Sequence, residues 1–219
     1  MGLVDGLSRG STLPYTQKDC VNCQLNRIGD RHTEDPLLSI KDPKSVIIDA
    51  SSKNKEIGSS TVVIVTLDPE SGILRSAMIG DSGYLLIRPP NNHQLLYRTE
   101  EQQHSFNFPY QIGSHGDNPS SAITKDIQAK ENDLVILGTD GVFDNLFNEN
   151  IIDICSRGPS KGILNEEKIA SSIAEEAFRR AKDRSWKSPF SINARKSGYR
   201  FEGGKLDDIT VVVGRVLLN

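Results

Sequence analysis

Three short stretches put carboxylates where an apolar run meets a turn. Ala77 to Ile87 reads AMIGDSGYLLI and carries Asp81. Leu137 to Asn145 reads LGTDGVFDN and carries Asp140 and Asp144. Gly203 to Val213 reads GGKLDDITVVV and carries Asp207 and Asp208. Asp81 and Asp140 each close an apolar strand-like run, and Asp207-Asp208 precede one. In an antiparallel sheet the end of one strand lies beside the start of its neighbour, so side chains at such positions converge on one rim. Converging carboxylates repel one another unless a cation lies among them, and hard divalent ions prefer oxygen donors. A Mg²⁺ or Mn²⁺ centre is the economical explanation. Any one of these sites alone would read as a turn or a cap.

Gly80-Asp81-Ser82-Gly83 also looks like the frame around a nucleophilic serine. A trypsin-like frame continues with Gly-Gly-Pro after Asp-Ser, whereas here Gly83-Tyr84-Leu85 follows. A nucleophile elbow needs a strand leading into a helix within G-x-S-x-G, and Ser82 falls between two strand-like runs. His32, His93, His104 and His115 are scattered, with none placed for a triad. They are expected at the surface or in packing, and Ser82 in a turn. Cys20-Val-Asn-Cys23 lacks the second pair of a zinc site and the βαβ context of a redox site, so these read as ordinary thiols.

The elements that must hold the carboxylates can be read from periodicity. PKSVIIDASSKNK, from Pro43, is expected as a short helix. SSTVVIVTLD is β-branched and reads as a buried strand. Pro69 to Gly72 turns the chain, and ILRSAMIGD returns as the second strand of a hairpin. YLLIR and HQLLYRT follow as a third and a fourth strand. Residues 105–130 read as a long irregular loop, functional or flexible. DLVILGTDG is a strand running into a turn, and FNENIIDICS a short helix. In 166–181, Ile169, Ala170, Ile173, Ala174, Ala177, Phe178 and Ala181 fall on one face of the clearest helix. DITVVVGRVLL closes the chain as a buried strand. Antiparallel strands, then a helix, then a last strand make an α+β class.

Composition limits the alternatives. A chain of 219 residues fits a single domain, 1–219. Its 26 basic and 29 acidic residues are mixed, without the basic block that nucleic-acid binding would need. No apolar run approaches the length of a membrane span. The N-terminus lacks the pattern of a secretory signal, and three cysteines fit a reducing compartment.

STVVIVTLDPESGILRSAMIGDSGYLLIR, DLVILGTDGVFDNL and GGKLDDITVVVGRV, in this order and at these separations, resemble the metal-dependent protein phosphatases of type 2C, the PPM family. RTEEQQHSFNFPYQI and WKSPF further resemble its mitochondrial matrix branch. The likeness covers 43–217, with 1–42 weakly matched. It implies an α-β-β-α sandwich of antiparallel sheets flanked by helices. It also implies two or more Mg²⁺ or Mn²⁺ ions and a protein-serine/threonine phosphatase that hydrolyses phosphomonoesters with a metal-activated water and no protein nucleophile. The substrate would be a phosphoserine or phosphothreonine protein, the enzyme a monomer, and the location mitochondrial or otherwise cytoplasmic.

Residue by residue, the resemblance makes Asp140 and Asp207 metal ligands and gives Asp81 to an additional, looser metal position. Gly141, Asp144 and Asp208 would orient the site from behind the ligands. The family's bridging ligand lies in an Asp-Gly-hydrophobic-Gly-Gly motif. Its counterpart here is Asp5-Gly6 in LVDGLSRGS, where Ser8-Arg9 replaces Gly-Gly. The strands that the family places before this motif are absent. This departure supports a second expectation: a truncated or degenerate homologue that keeps the fold and binds partners without turnover.

Overall fold

The computed structural model describes residues 2–4, 21–23, 42–89, 94–157 and 165–219, the first two segments as backbone strands. Asp5, Gly6, Cys20, His32 and His93 lie outside the described residues. The strands are β1 (Gly2–Val4), β2 (Val21–Cys23), β3 (Ser59–Ser60), β4 (Val62–Asp68), β5 (Ile73–Ile79), β6 (Gly83–Arg88), β7 (Gln94–Arg98), β8 (Gln103–Ser105), β9 (Phe108–Pro109), β10 (Ile112–Gly113), β11 (Ile123–Gln128), β12 (Leu134–Gly138) and β13 (Ile209–Arg215). The helices are α1 (Pro43–Lys53), α2 (Asp140–Phe143), α3 (Asn148–Ser156), α4 (Glu166–Ala181) and α5 (Pro189–Lys196).

Two sheets stack. One runs β1-β4-β5-β11 and is antiparallel throughout. The other runs β2-β13-β12-β6-β7, antiparallel except where β2 joins β13. The period of two in each strand divides its side chains between two cores. Tyr84 and Leu86 of β6, Val135 and Leu137 of β12, and Val212 of β13 meet Val63, Val65, Leu74 and Met78 between the sheets. Leu85, Ile87, Leu134, Ile136, Val211 and Val213 face the other way, onto α2, α3 and α4. On the far side of the first sheet, Ile47 of α1 packs on Val62, Ala77 and Ile79. The layers are therefore helix, sheet, sheet, helix, as the resemblance implies.

Local chemistry sets the helix ends. Asp42 caps α1 by accepting from the Lys44 backbone N–H, with Pro43 at the first position. Asn165 caps α4 in the same way through Lys168, and Glu166-Glu167 and Arg179-Arg180 match its dipole.

The structure corrects three sequence expectations. Residues 105–130 are not one irregular loop: Ile123–Gln128 forms β11, paired along its length with β5. Its side chains are mostly exposed, as for an edge strand, so no buried apolar pattern announced it. The turn expected after β12 is the helical turn α2, which begins at Asp140 itself. The helix α5 lies in a stretch with no assigned element. It is short, and its start is fixed by Ser188, whose hydroxyl accepts from the Ser191 N–H at 3.0 Å. The hairpin β4–β5, the strands β6, β7, β12 and β13, and the helices α1, α3 and α4 agree with the periodicity.

Candidate metal centre

Register brings the three carboxylate stretches to one rim. Gly138, the last residue of β12, stands opposite Gly83 at the start of β6 and opposite Val211 near the start of β13. Asp81, Asp140 and Asp207 lie just beyond these positions. The seam between β12 and β13 is pinned by Thr139. Its hydroxyl donates to the Asp208 carbonyl at 2.8 Å and accepts from the Thr210 N–H at 3.1 Å. The helix α2 then packs directly on the chain before β13. A Cβ at Gly141 would sit 2.4 Å from the Asp208 carbonyl oxygen, so only glycine permits this approach.

Asp140 and Asp144 are one helical turn apart and present their carboxylates on the same side, joined by Asp207. One oxygen from each lies within 4.8 Å of the others. The Lys205 ammonium sits among them, 2.8 Å from Asp140 Oδ2, 2.7 Å from Asp144 Oδ2 and 2.9 Å from Asp207 Oδ2. One ammonium against three carboxylates leaves two negative charges unbalanced. Burial raises the Asp144 carboxyl to about 7 against the pull of Lys205, and Asp140 adds to the rise. Asp140 is raised as well, first by burial and then by Asp207, with Lys205 opposing. Burial alone would lower the Lys205 ammonium, but the charges of Asp144 and Asp140 hold it above its ordinary value.

Asp81 stands beside this cluster, outside the group of three. It is buried, at 7% exposure, on a turn made by Gly80 at φ +102°. Burial, then the charge of Asp140, raise its carboxyl to about 7. The chain after β7 closes over this turn through the Gln102 N–H, which donates to the Gly80 carbonyl at 2.8 Å. That places Glu101 on the rim, where it lines a cavity of about 370 Å³ with Asp81, Asp144, Phe106, Phe190 and Lys196. Two larger depressions, about 630 and 470 Å³, lie elsewhere, and neither is lined by these aspartates.

Of the expected site residues, the structure thus gathers Asp140, Asp207 and Asp144, with Asp81 adjacent. Gly141 serves by its lack of a side chain. Asp208 contributes through its carbonyl, its side chain being exposed. Asp5 and Gly6 lie outside the described residues. Ser82 is fully buried, with its hydroxyl 2.8 Å from that of Thr61, which is packing and not a poised nucleophile. His104 pairs with Asp117 at 2.8 Å and stacks on Tyr110.

Sequence reasoning missed Lys205, Glu101, Asn145 and the segment before α5. Asn145 is fully buried, and its amide bonds the Lys205 backbone at both ends. The Trp186 indole N–H donates to the Asn145 carbonyl at 2.9 Å, and the Phe190 N–H donates to the Asp144 carbonyl at 3.1 Å. A lysine between a glycine pair and an aspartate pair was the one signal available.

The donor set tests well for a divalent metal. The cluster offers carboxylate oxygen only, partly withdrawn from water and under-neutralised, which suits a hard ion such as Mg²⁺ or Mn²⁺. None of the described helices is long and apolar enough to cross a membrane.

No family model matches the chain. Individual relatives do. It is 37% identical over 222 residues to probable protein phosphatase 2C 55 of Arabidopsis thaliana, covering 99% of this chain and 45% of that one. It is 31% identical over 239 residues to the protein phosphatase PTC7 homolog fig of Drosophila mojavensis, covering 99% and 73%. Among solved structures, the X-ray structure of the photosystem II phosphatase PBCP superposes with a TM-score of 0.71 at 32% identity, over 78% of this chain and 70% of that one. The chain spans about half the length of the Arabidopsis relatives it matches.

Proposed function

Because the chain belongs to the type 2C protein phosphatase family, we propose that it is a metal-dependent protein-serine/threonine phosphatase. The observation that carries this reading is the convergence of Asp140, Asp144 and Asp207 beside a cavity open to substrate. The reaction replaces the phosphorus–oxygen bond to a serine or threonine side chain with one to a water oxygen. Asp140, Asp207 and Asp144 would hold a divalent ion, with Asp81 at a second position and Asp5-Gly6 as a further contributor. Mg²⁺ or Mn²⁺, when bound, supplies positive charge for the phosphoryl oxygens and lowers the pKa of a water nucleophile.

The chain's own groups do the rest. Asn145 and Thr139 fix the backbone that carries Lys205 and Asp207. Burial keeps Asp81 and Asp144 poorly solvated, so their affinity for a cation is not spent on water. Asp81, Glu101 and Lys196 all line the cavity, so charges of both signs would face a phosphopeptide held there. The likeness of Arg98–Ile112 and of the segment 186–190 to the mitochondrial matrix branch supports a mitochondrial location. A fluorescent fusion of the full coding sequence found in another compartment would contradict it.

The test is Mn²⁺-dependent hydrolysis of p-nitrophenyl phosphate and of a phosphothreonine peptide. Activity that needs Mn²⁺ or Mg²⁺ and falls at least ~100-fold in Asp140→Asn is expected. A folded chain with no hydrolysis at millimolar Mn²⁺, unchanged by that substitution, would point to the partner-binding homologue instead.

A further inference from the structure

Lys205 is held at both ends. Its backbone is bonded twice to the buried side-chain amide of Asn145, which also donates to the Gly141 carbonyl at 2.9 Å, while the Asn145 backbone carbonyl accepts from the Trp186 indole N–H. Its ammonium meets three carboxylates within 2.9 Å. Those three carboxylates are the described acidic side chains whose oxygens converge closely enough to share one cation. A lysine ammonium carries three donors and no acceptor, so three carboxylate oxygens saturate it. Lysine and a divalent ion therefore compete for the same three carboxylates, of which the ammonium already occupies one oxygen each.

The side chain has somewhere to go. Apart from the carboxylates, the ammonium is 4.9 Å from the Phe190 ring, which walls the cavity beside Asp81 and Asp144. Its four-carbon stem can turn while Asn145 keeps the backbone in place, and an aromatic ring face accepts a cation.

On these grounds, and resting on the metal-centre reading above, we infer that Lys205 is a built-in counter-ion of the centre. It keeps the three carboxylates convergent and partly neutralised, a divalent ion must displace it, and it thereby sets the ion concentration at which the centre loads. Loading and release of the lysine are then one event.

The experiment is Mn²⁺ binding, followed by the loss of the free-ion electron paramagnetic resonance signal, in the wild-type chain and in Lys205→Met. Competition predicts that removing the ammonium tightens Mn²⁺ binding about tenfold, a usual scale for coupling between two occupants. A second measurement needs no variant. The wild-type chain is labelled briefly with acetic anhydride across a Mn²⁺ titration and mapped by mass spectrometry. Labelling of Lys205 is expected to rise with half-maximum at the Mn²⁺ Kd, while the exposed Lys182 stays constant. An equal or weaker Kd in Lys205→Met, or Lys205 labelling that is flat or falls with Mn²⁺, overturns the inference and leaves the metal centre standing. Absence of Mn²⁺ binding in both proteins overturns the centre and the exchange together.

Discussion

Asn145 and Lys205 bond one another twice. The Asn145 Nδ2 donates to the Lys205 carbonyl at 2.8 Å, and its Oδ1 accepts from the Lys205 N–H at 2.9 Å. A second Nδ2 donation, to the Gly141 carbonyl, ties the same side chain to α2. One amide thus fixes the segment bearing Lys205 and Asp207 to the helical turn bearing Asp140 and Asp144. Asn145→Ala removes all three bonds and leaves two carbonyls and one N–H wanting partners where water has only partial access. It is expected to destabilise the fold by about 2–4 kcal/mol, the scale of several lost buried hydrogen bonds. Urea unfolding reads that loss. Mn²⁺ affinity should fall as well, since the carboxylates are no longer held together. Unaltered affinity would mean that the clamp serves the fold alone.

Gly141 makes a separate demand. Its Cα approaches the Asp208 carbonyl so closely that an added methyl would collide at 2.4 Å with backbone, which cannot swing aside. Gly141→Ala should push α2 from the start of β13, part the seam held by Thr139 and spread Asp140 from Asp207. A destabilisation of about 1–3 kcal/mol is expected from the overpacking, with a weaker Mn²⁺ Kd. If the Kd holds while stability drops, the seam does not set the ligand geometry.

Most of this was legible in the sequence where an element is both periodic and buried. The β12 run LVILG and the β13 run ITVVVG are apolar on both faces because each lies between two cores, and α4 shows one clean face because it covers one. The aspartates could be placed on a rim because they flank these runs. What stayed hidden depends on contacts distant in sequence. The side chains of β11 are mostly exposed, so its pairing with β5 leaves little trace in residue type. Asn145 and Lys205 are 60 residues apart, and neither residue type announces the other. Asp144, read as a supporting residue, enters the cluster because α2 is a helix, which sets positions 140 and 144 on one face.

The raised carboxyls give stability a pH dependence in chelator. Asp81 and Asp144 titrate near 7 in the fold against an ordinary 3.8. Between those values the folded chain holds protons that the unfolded chain has released, so these groups make stability fall as pH rises from about 4 to 7. Urea midpoints in EDTA should decline across this range, and the decline should shrink in a variant carrying both Asp81→Asn and Asp144→Asn. Mn²⁺ should stabilise the wild type more at pH 7.5 than at pH 5, because the ion replaces the protons. A midpoint that rises with pH in the wild type, and equally in the variant, would show that these carboxyls are not the source.

Ser82 offers the sharpest separation between a water-based and a serine-based hydrolysis. Its side chain has no exposure, and its hydroxyl lies 2.8 Å from Thr61 on the neighbouring strand turn. In Ser82→Ala the Thr61 hydroxyl loses that buried partner, for an expected cost of about 1–2 kcal/mol. The carboxylates of the cluster are untouched. Mn²⁺-dependent turnover of p-nitrophenyl phosphate should therefore stay within about threefold of wild type at a temperature where both are folded, since only packing has changed. Loss of turnover to background in a folded Ser82→Ala protein would put the serine back at the centre of the chemistry.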